Sequence, residues 1–310
     1  MMSKAARPSE ITLPPVNQGW ENLYQFLCSQ FPRIAPDIWA ARFRDGKIHW
    51  HNGDPVSMDA AFLPSRRLCY YREVVSEPVI AAAHQIVYQD NHILLACKPH
   101  GLPVIPGGEF VNECLLERLR RDTGLEDIAP VHRLDRDTAG LVLFSINPHS
   151  RAAYYQLFAQ GQIEKTYQAV ATLPQTLQQT ALPQQFELQN RLEKSQPRFL
   201  MQAVAGEPNA HSTLRLVARK EQLGLFELTP HTGKTHQLRL HMQAIGCPIL
   251  FDPYYPTLLA KSAILAGPLQ LLAQQLQFVD PVSGQPQSFR SPRQLSAWPY
   301  DAAPATALTA

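Results

Sequence analysis

Apolar positions along the chain switch between a helical and an alternating rhythm. Leu23, Leu27 and Phe31 recur at i, i+4 and i+8 and predict a helix. Pro36 and Asp37 open a second helix, which carries Ile38, Ala41 and Phe43 and is closed by Gly46. Lys47 to Trp50 alternate as a strand turned at Asn52 and Gly53, and another strand is expected at Leu68 to Tyr71. Beyond a linker at 76–83, Ile86 to Tyr88 and Ile93 to Ala96 flank Asp90 and Asn91 and predict a hairpin. Val111, Leu115, Leu116 and Leu119 then share one side of a helix ended by Gly124, whose other faces turn Arg118, Arg120 and Arg121 toward phosphate or solvent.

The uninterrupted apolar run Leu141 to Phe144 reads as a buried strand. Asn147 and Pro148 pair a cap with a first-turn proline and predict a helix reaching Gln160. Tyr167 and Ala169 alternate with Thr166, Gln168 and Val170 in the strand that follows. Residues 173–197, rich in Gln, Leu and Pro, show no clear period and are expected to form a loop or insertion. Thr213 to Val217 and Leu223 to Leu228 read as strands. Leu238, Met242 and Ile245 place a helix over 236–245 and put His236 and Arg239 together on its other face.

At 310 residues the chain has room for more than one domain. Residues 1–18, polar and proline-bearing, are expected to be a disordered arm. A small domain is expected over 19–75, the main domain over 84–295, and a tail rich in Ala and Pro over 296–310. The 28 basic and 26 acidic residues leave a net charge of +2, which excludes a polybasic nucleic-acid tail; any nucleic-acid surface must be local. There is no long apolar run and no signal-peptide pattern, so no membrane is expected as a partner and the cytoplasm is the expected location. Five scattered cysteines without a C-x-x-C pair support neither a zinc knuckle nor a disulfide frame.

The chemistry concentrates in V-H-R-L-D-R-D-T-A-G-L, residues 131–141, a polar loop fixed to the start of a buried strand. Asp135 and Asp137 are interleaved with Arg133 and Arg136, so a guanidinium within reach would hold a carboxylate ionised, as a nucleophile or base requires. A surface turn with solvated charges fits the same residues. Other motifs fall away on spacing. G-K-T at 233–235 lacks the earlier glycine of a phosphate loop, since Leu228 holds that position. His231, His236 and His241 do not match H-E-x-x-H, and H-R-L-D has no glycine-rich loop or D-F-G beside it. An Asp135/Asp137 magnesium site is too basic to expect.

Three blocks, in order, resemble the RluA-type pseudouridine synthase family: H-R-L-D-R-D-T-A-G-L-V-L at 132–143, E-K-T-Y at 164–167 and T-G-K-T-H-Q-L-R-L-H at 232–241. C-K-P-H-G at 97–101 matches a lysine-proline segment of that family and is read as structural. The resemblance implies an α+β fold, a largely antiparallel mixed sheet with a central cleft, behind a small N-terminal domain. That domain's helix, hairpin and strand weakly resemble an RNA-binding module, and a purely structural extension fits them equally.

The resemblance implies Asp135 as the catalytic aspartate, Tyr167 as the ring packing on the target base, and Arg239 as the aspartate's partner. It also implies Arg133 in the space the uridine vacates, with Lys234 and His236 as further RNA contacts. The partner would be structured RNA, ribosomal or transfer, isomerised without cofactor or metal by a monomer. A silent RNA-binding or RNA-folding protein on the same scaffold is the alternative, and a hydrolase using Asp135 with His132 a distant third. The departures are Ala139, Lys234, Cys247, Phe251 and Leu272, where serine, arginine, histidine, glycine and histidine are usual; none replaces Asp135, Tyr167 or Arg239.

Overall fold

The computed structural model describes residues 3–300 and divides into two units, one of residues 1–79 with 106–113 and one of 80–105 with 114–310. The tail expected at 296–310 lies outside the described residues from Asp301 onward, while its first part is ordered, with Trp298 buried.

In the smaller unit, β1 (Ser3–Lys4) and β2 (Ser9–Thr12) are followed by α1 (Leu23–Gln30), α2 (Pro36–Arg44), β3 (Ile48–Trp50), β4 (Arg67–Tyr70) and β5 (Glu73–Val74). β4 lies between β2 and β3, and β1 pairs with β5. Strands at 3–4 and 9–12 correct the expected disordered arm: their polar side chains hid segments whose backbone groups are taken up by β5 and β4. The helices pack Leu23, Phe26, Leu27, Trp39 and Phe43 on Ile48, Trp50, Leu68 and Tyr70. Arg42 of α2 is not a free basic side chain, since its guanidinium stacks over Trp39 and faces Glu73. Segment 106–113 joins this unit through Glu77, whose Oε1 accepts the N–H groups of Val111, Asn112 and Glu113.

The larger unit contains β6 (Gln85–Gln89), β7 (Ile93–Lys98), α3 (Leu115–Thr123), β8 (Ala129–Pro130), β9 (Ala139–Ser145), α4 (Arg151–Ala159) and β10 (Glu164–Thr172). It continues with β11 (Gln184–Lys194), β12 (Met201–Val204), β13 (Ala210–Lys220), β14 (Leu223–Pro230), α5 (Gln237–Ala244), β15 (Leu271–Val279) and β16 (Pro286–Arg290). One sheet joins its strands in the order β12-β11-β13-β14-β10-β15-β9-β7-β6, with β16 on β15 and β8 on β9. All pairs are antiparallel except β15 with β9. β15 is therefore the seam between two halves of the sheet.

β9 is buried along its whole length, which is why its sequence is continuously apolar. Leu115, Leu116 and Leu119 of α3 cover Val142 and Phe144 on one face, and Tyr154 and Leu157 of α4 cover Leu141 and Leu143 on the other. α5 sets Leu238 and Met242 against Ala169, Leu214, Leu216 and Phe226 in the other half.

Four further sequence expectations need correction. The loop expected at 173–197 contains β11, whose alternation was masked because polar side chains occupy even its half-buried positions apart from Phe186 and Leu188. Arg118 and Arg120 do not face phosphate: Arg118 is buried and donates to the Ile80 and Ala82 carbonyls, and Arg120 pairs with Glu117. The helix expected from Asn147 starts at Arg151, after a turn in which Asn147 Oδ1 accepts the His149 N–H. His236 precedes its helix rather than opening it, in a left-handed conformation at φ 54°. Among the described residues no helix is long and apolar enough to cross a membrane.

Gly140 shows what the seam demands. Its φ is +114°, and a Cβ there would lie 2.2 Å from the Ala273 carbonyl oxygen. Gly140→Ala is expected to part β9 from β15, costing about 3 kcal/mol or more because strain and overpacking add. Denaturant unfolding of the variant checks this.

Candidate active site

The loop from 131 to 138 is fastened from below before it presents anything. His132 is half-buried, its Nε2 accepts the Leu143 N–H at 3.0 Å, and its ring stacks on Phe158 at 4.5 Å. Desolvation, helped by the charge of Lys165, pushes it down to about 3, so it is neutral at physiological pH. It is tied to the strand rather than placed beside Asp135 as a hydrolase would need.

Lys98 holds the same loop from β7. Its Nζ is fully buried and donates to the carbonyls of Arg136 (2.8 Å), Leu102 (2.6 Å) and Pro99 (3.1 Å). Burial brings it down to about 7 despite the opposing charges of Asp137 and Asp135. Lys98→Met would leave three carbonyls without their donor, at about 1–3 kcal/mol for each one that stays buried. We expect a lower Tm, measured by thermal scanning.

The two aspartates of the loop separate. Asp137 pairs with its neighbour Arg136, Nε to Oδ1 at 3.0 Å. Asp135 turns instead toward α5, its Oδ2 lying 3.8 Å from Arg239 Nη1 and 3.9 Å from His236 Nε2.

Arg239 is 1% exposed and is itself held in place. Its Nε donates to Asp252 Oδ2 at 2.7 Å, its Nη2 donates to Asp252 Oδ1, and the Tyr254 ring lies 4.7 Å from the guanidinium. Desolvation works against its charge, but the hydrogen bonds and charge of Asp252, then the charge of Asp135, raise it above its ordinary value. Nη1 is buried without a hydrogen-bond partner and is the nitrogen nearest Asp135. A permanent positive charge thus stands behind the Asp135 carboxylate, with an unspent donor aimed at it.

His236 is held by the Tyr255 hydroxyl, 2.8 Å from Nδ1. Desolvation lowers it more than Asp135 raises it, which favours a neutral ring.

These groups border a pocket of about 120 Å³. Tyr167 lines its wall from β10, where the ladder to β15 slips by one residue between Thr166 and Tyr167. Burial, and then the charge of Asp135, pushes its phenol far above the usual range, so it stays protonated. Arg133 and Lys234 are exposed and line the mouth. All six expected site residues therefore meet around one pocket, built from the 131–138 loop, β10, the 230–236 loop and α5.

The sequence reading gave no role to Asp252, Lys165 or Tyr254. Lys165 lines the pocket beside Tyr167 and is depressed by desolvation. Asp252 follows Phe251, whose φ of 58° explains why glycine is usual at that position. Nothing in one sequence marks Asp252 as the partner of Arg239. The described groupings of His, Cys, Asp and Glu that could hold a metal lie elsewhere, at Glu10, His51 and Cys69 and at Glu187, His211 and His231.

Residues 92–244 match the model of the RNA pseudouridylate synthase family. An uncharacterized RNA pseudouridine synthase of Synechocystis is 29% identical over 75% of this chain and 79% of its own length. The dual-specificity RNA pseudouridine synthase RluA of Haemophilus influenzae is 32% identical over 66% of this chain and 91% of its own length. Among solved structures, human RNA pseudouridylate synthase domain containing 1 superposes with a TM-score of 0.56 at 19% identity, covering 70% of this chain and 86% of that one. The three sequence blocks, the mixed sheet and these relatives agree: the chain belongs to the RluA-type family of RNA pseudouridine synthases and is an isomerase acting on RNA.

Proposed function

We propose that Asp135 starts the isomerisation, with Arg239 holding it charged and Tyr167 forming the platform for the uracil. The observation that carries this reading is the unspent Arg239 Nη1, 3.8 Å from Asp135 Oδ2, at the wall of the pocket that Tyr167 also lines. Exchanging the nitrogen-linked glycosidic bond of uridine for a carbon-linked one requires the base to leave its helix, break free, rotate and rejoin away from water. Flipping costs a few kcal/mol, which stacking on Tyr167 and insertion of Arg133 into the vacated space would offset.

Asp135 must be ionised whether it attacks the sugar or removes a sugar proton, and a carboxylate desolvated by bound RNA would otherwise take up a proton. Arg239 opposes that without donating one, because a guanidinium keeps its protons. Lys234, at the exposed rim, supplies charge for the phosphate backbone; His236, neutral and buried, offers a ring edge rather than a cation.

The substrate we infer is a structured RNA, ribosomal or transfer, in keeping with the dual-specificity relative. Recognition would rest on RNA shape read by the rim of the cleft, with the smaller unit as an accessory RNA-binding domain. We read the protein as a cytoplasmic monomer whose isomerisation needs neither metal nor cofactor.

The test is pseudouridine mapping of total RNA from cells with and without the gene. A uridine in ribosomal or transfer RNA that loses its modification on deletion and regains it on complementation supports the reading. If no site changes, and purified protein binds these RNAs without modifying them, the silent RNA-binding alternative takes its place.

A further inference from the structure

On the other side of the sheet from α5, the end of β13 carries a second chemical grouping that isomerisation does not use. His211 and Thr213 project from one face of β13, opposite the buried Ser212, Leu214 and Leu216. Glu187 of β11 is the register partner of Thr213. His231, just past β14, is set opposite His211 by its N–H, which donates to the His211 carbonyl at 3.0 Å. Three neighbouring chain segments therefore aim side chains at one point.

The side chains close a ring around that point. His211 Nε2 lies 3.0 Å from Glu187 Oε2, the Thr213 hydroxyl donates to Glu187 Oε1 at 2.8 Å, and His231 Nε2 lies 2.8 Å from Thr213 Oγ1. The two imidazoles are 4.3 Å apart, and the ligand atoms of Glu187, His211 and His231 all lie within 4.8 Å of one another. Bonds of about 2.1 Å to a tetrahedral ion put its donors about 3.4 Å apart, so small rotations of exposed side chains suffice.

We propose that Glu187, His211 and His231 form a binding site for a divalent transition ion, zinc being the best match. Two imidazole nitrogens and a carboxylate oxygen suit a borderline ion better than magnesium or calcium, which take oxygen ligands. The fourth position faces solvent. Such an ion would staple β11 to β13 and to the loop bearing Lys234 and His236. Thr232 Oγ1 accepts the His211 N–H at 2.9 Å and donates to Gln237 Oε1, which in turn accepts the Lys234 N–H. The ion would thus stiffen one rim of the cleft without entering the reaction. The other grouping, in the smaller unit, is less suited: its Glu10 also faces Arg67 at 3.6 Å, and its Cys69 is buried.

Full-length protein without an affinity tag, stripped of metal, is titrated with zinc by calorimetry and with cobalt by absorption. One equivalent of zinc should bind and raise Tm, and cobalt should give a tetrahedral spectrum without a thiolate charge-transfer band. Glu187→Gln and His231→Asn should each weaken zinc binding beyond the ~10–100-fold that outer-shell changes cost, while His51→Asn leaves it intact. Both altered positions are solvent-exposed, so the variants fold. The proposal is overturned by zinc binding no tighter than about 10 µM, by binding that survives these two variants, or by a thiolate band that disappears with His51→Asn.

Discussion

Asp135→Asn is expected to lower the single-turnover rate by about 10⁴-fold or more, the scale of removing a reacting group, while RNA affinity stays the same or tightens slightly. The amide keeps the shape of the carboxylate but supplies neither nucleophile nor base. Affinity does not suffer because removing a negative charge from a cleft that binds phosphates lessens repulsion. Lys98 and the turn bond from the Thr138 N–H to the Asp135 carbonyl act on backbone, so the loop stays in place. Rapid-quench assays on the mapped RNA, with filter binding alongside, separate the two effects. Near-normal turnover in this variant would remove Asp135 from the proposed role.

Arg239→Met should abolish activity and also weaken the fold, and the second effect has its own origin. Asp252 is buried beneath the guanidinium, and taking Arg239 away strands its carboxylate, at about 3–5 kcal/mol or roughly 10 °C in Tm. The double variant Arg239→Met/Asp252→Asn should regain most of that stability. The uncompensated charge is gone, and the Asn oxygen can still accept the N–H groups of Tyr254 and Tyr255, as Asp252 Oδ1 does now. It should regain no activity, because nothing then stands behind Asp135. Thermal unfolding and single-turnover rates on the three proteins decide the matter: recovery of activity with stability would reduce Arg239 to a structural role.

What could be read from the sequence follows from which physical signals are local. The helices of the smaller unit, the β6–β7 hairpin, α3 with Gly124 at its end and the buried β9 all carry their own periodicity or caps. β11 carries only a broken one, since Gln184 and Asn190 interrupt the inward row of Phe186, Leu188 and Leu192. The short strands at 3–4 and 9–12 exist only through their partners. The meeting of the site residues was legible because three blocks stood together in a recognisable order. The partnerships within it were not. Arg136 and Arg133 are the sequence neighbours of the acids, yet Asp135 faces Arg239, and Arg239 depends on Asp252. Phe251 shows a departure made intelligible: it occupies a left-handed position that suits glycine, with its ring packed where a Cβ on Gly267 would touch it at 3.0 Å.

Because β15 lies between β9 and β10, the two walls of the cleft are joined by a strand translated after both of them. A growing chain on the ribosome can shape the Asp135 loop on β9, and later Tyr167 and α5, as separate half-sheets, but it has no cleft until Leu271–Val279 has emerged and slipped between them. Pairings of such long sequence separation close late. A product truncated before β15 is therefore expected to lack isomerase activity, because the Asp135 loop and Tyr167 then lie on half-sheets that no strand joins.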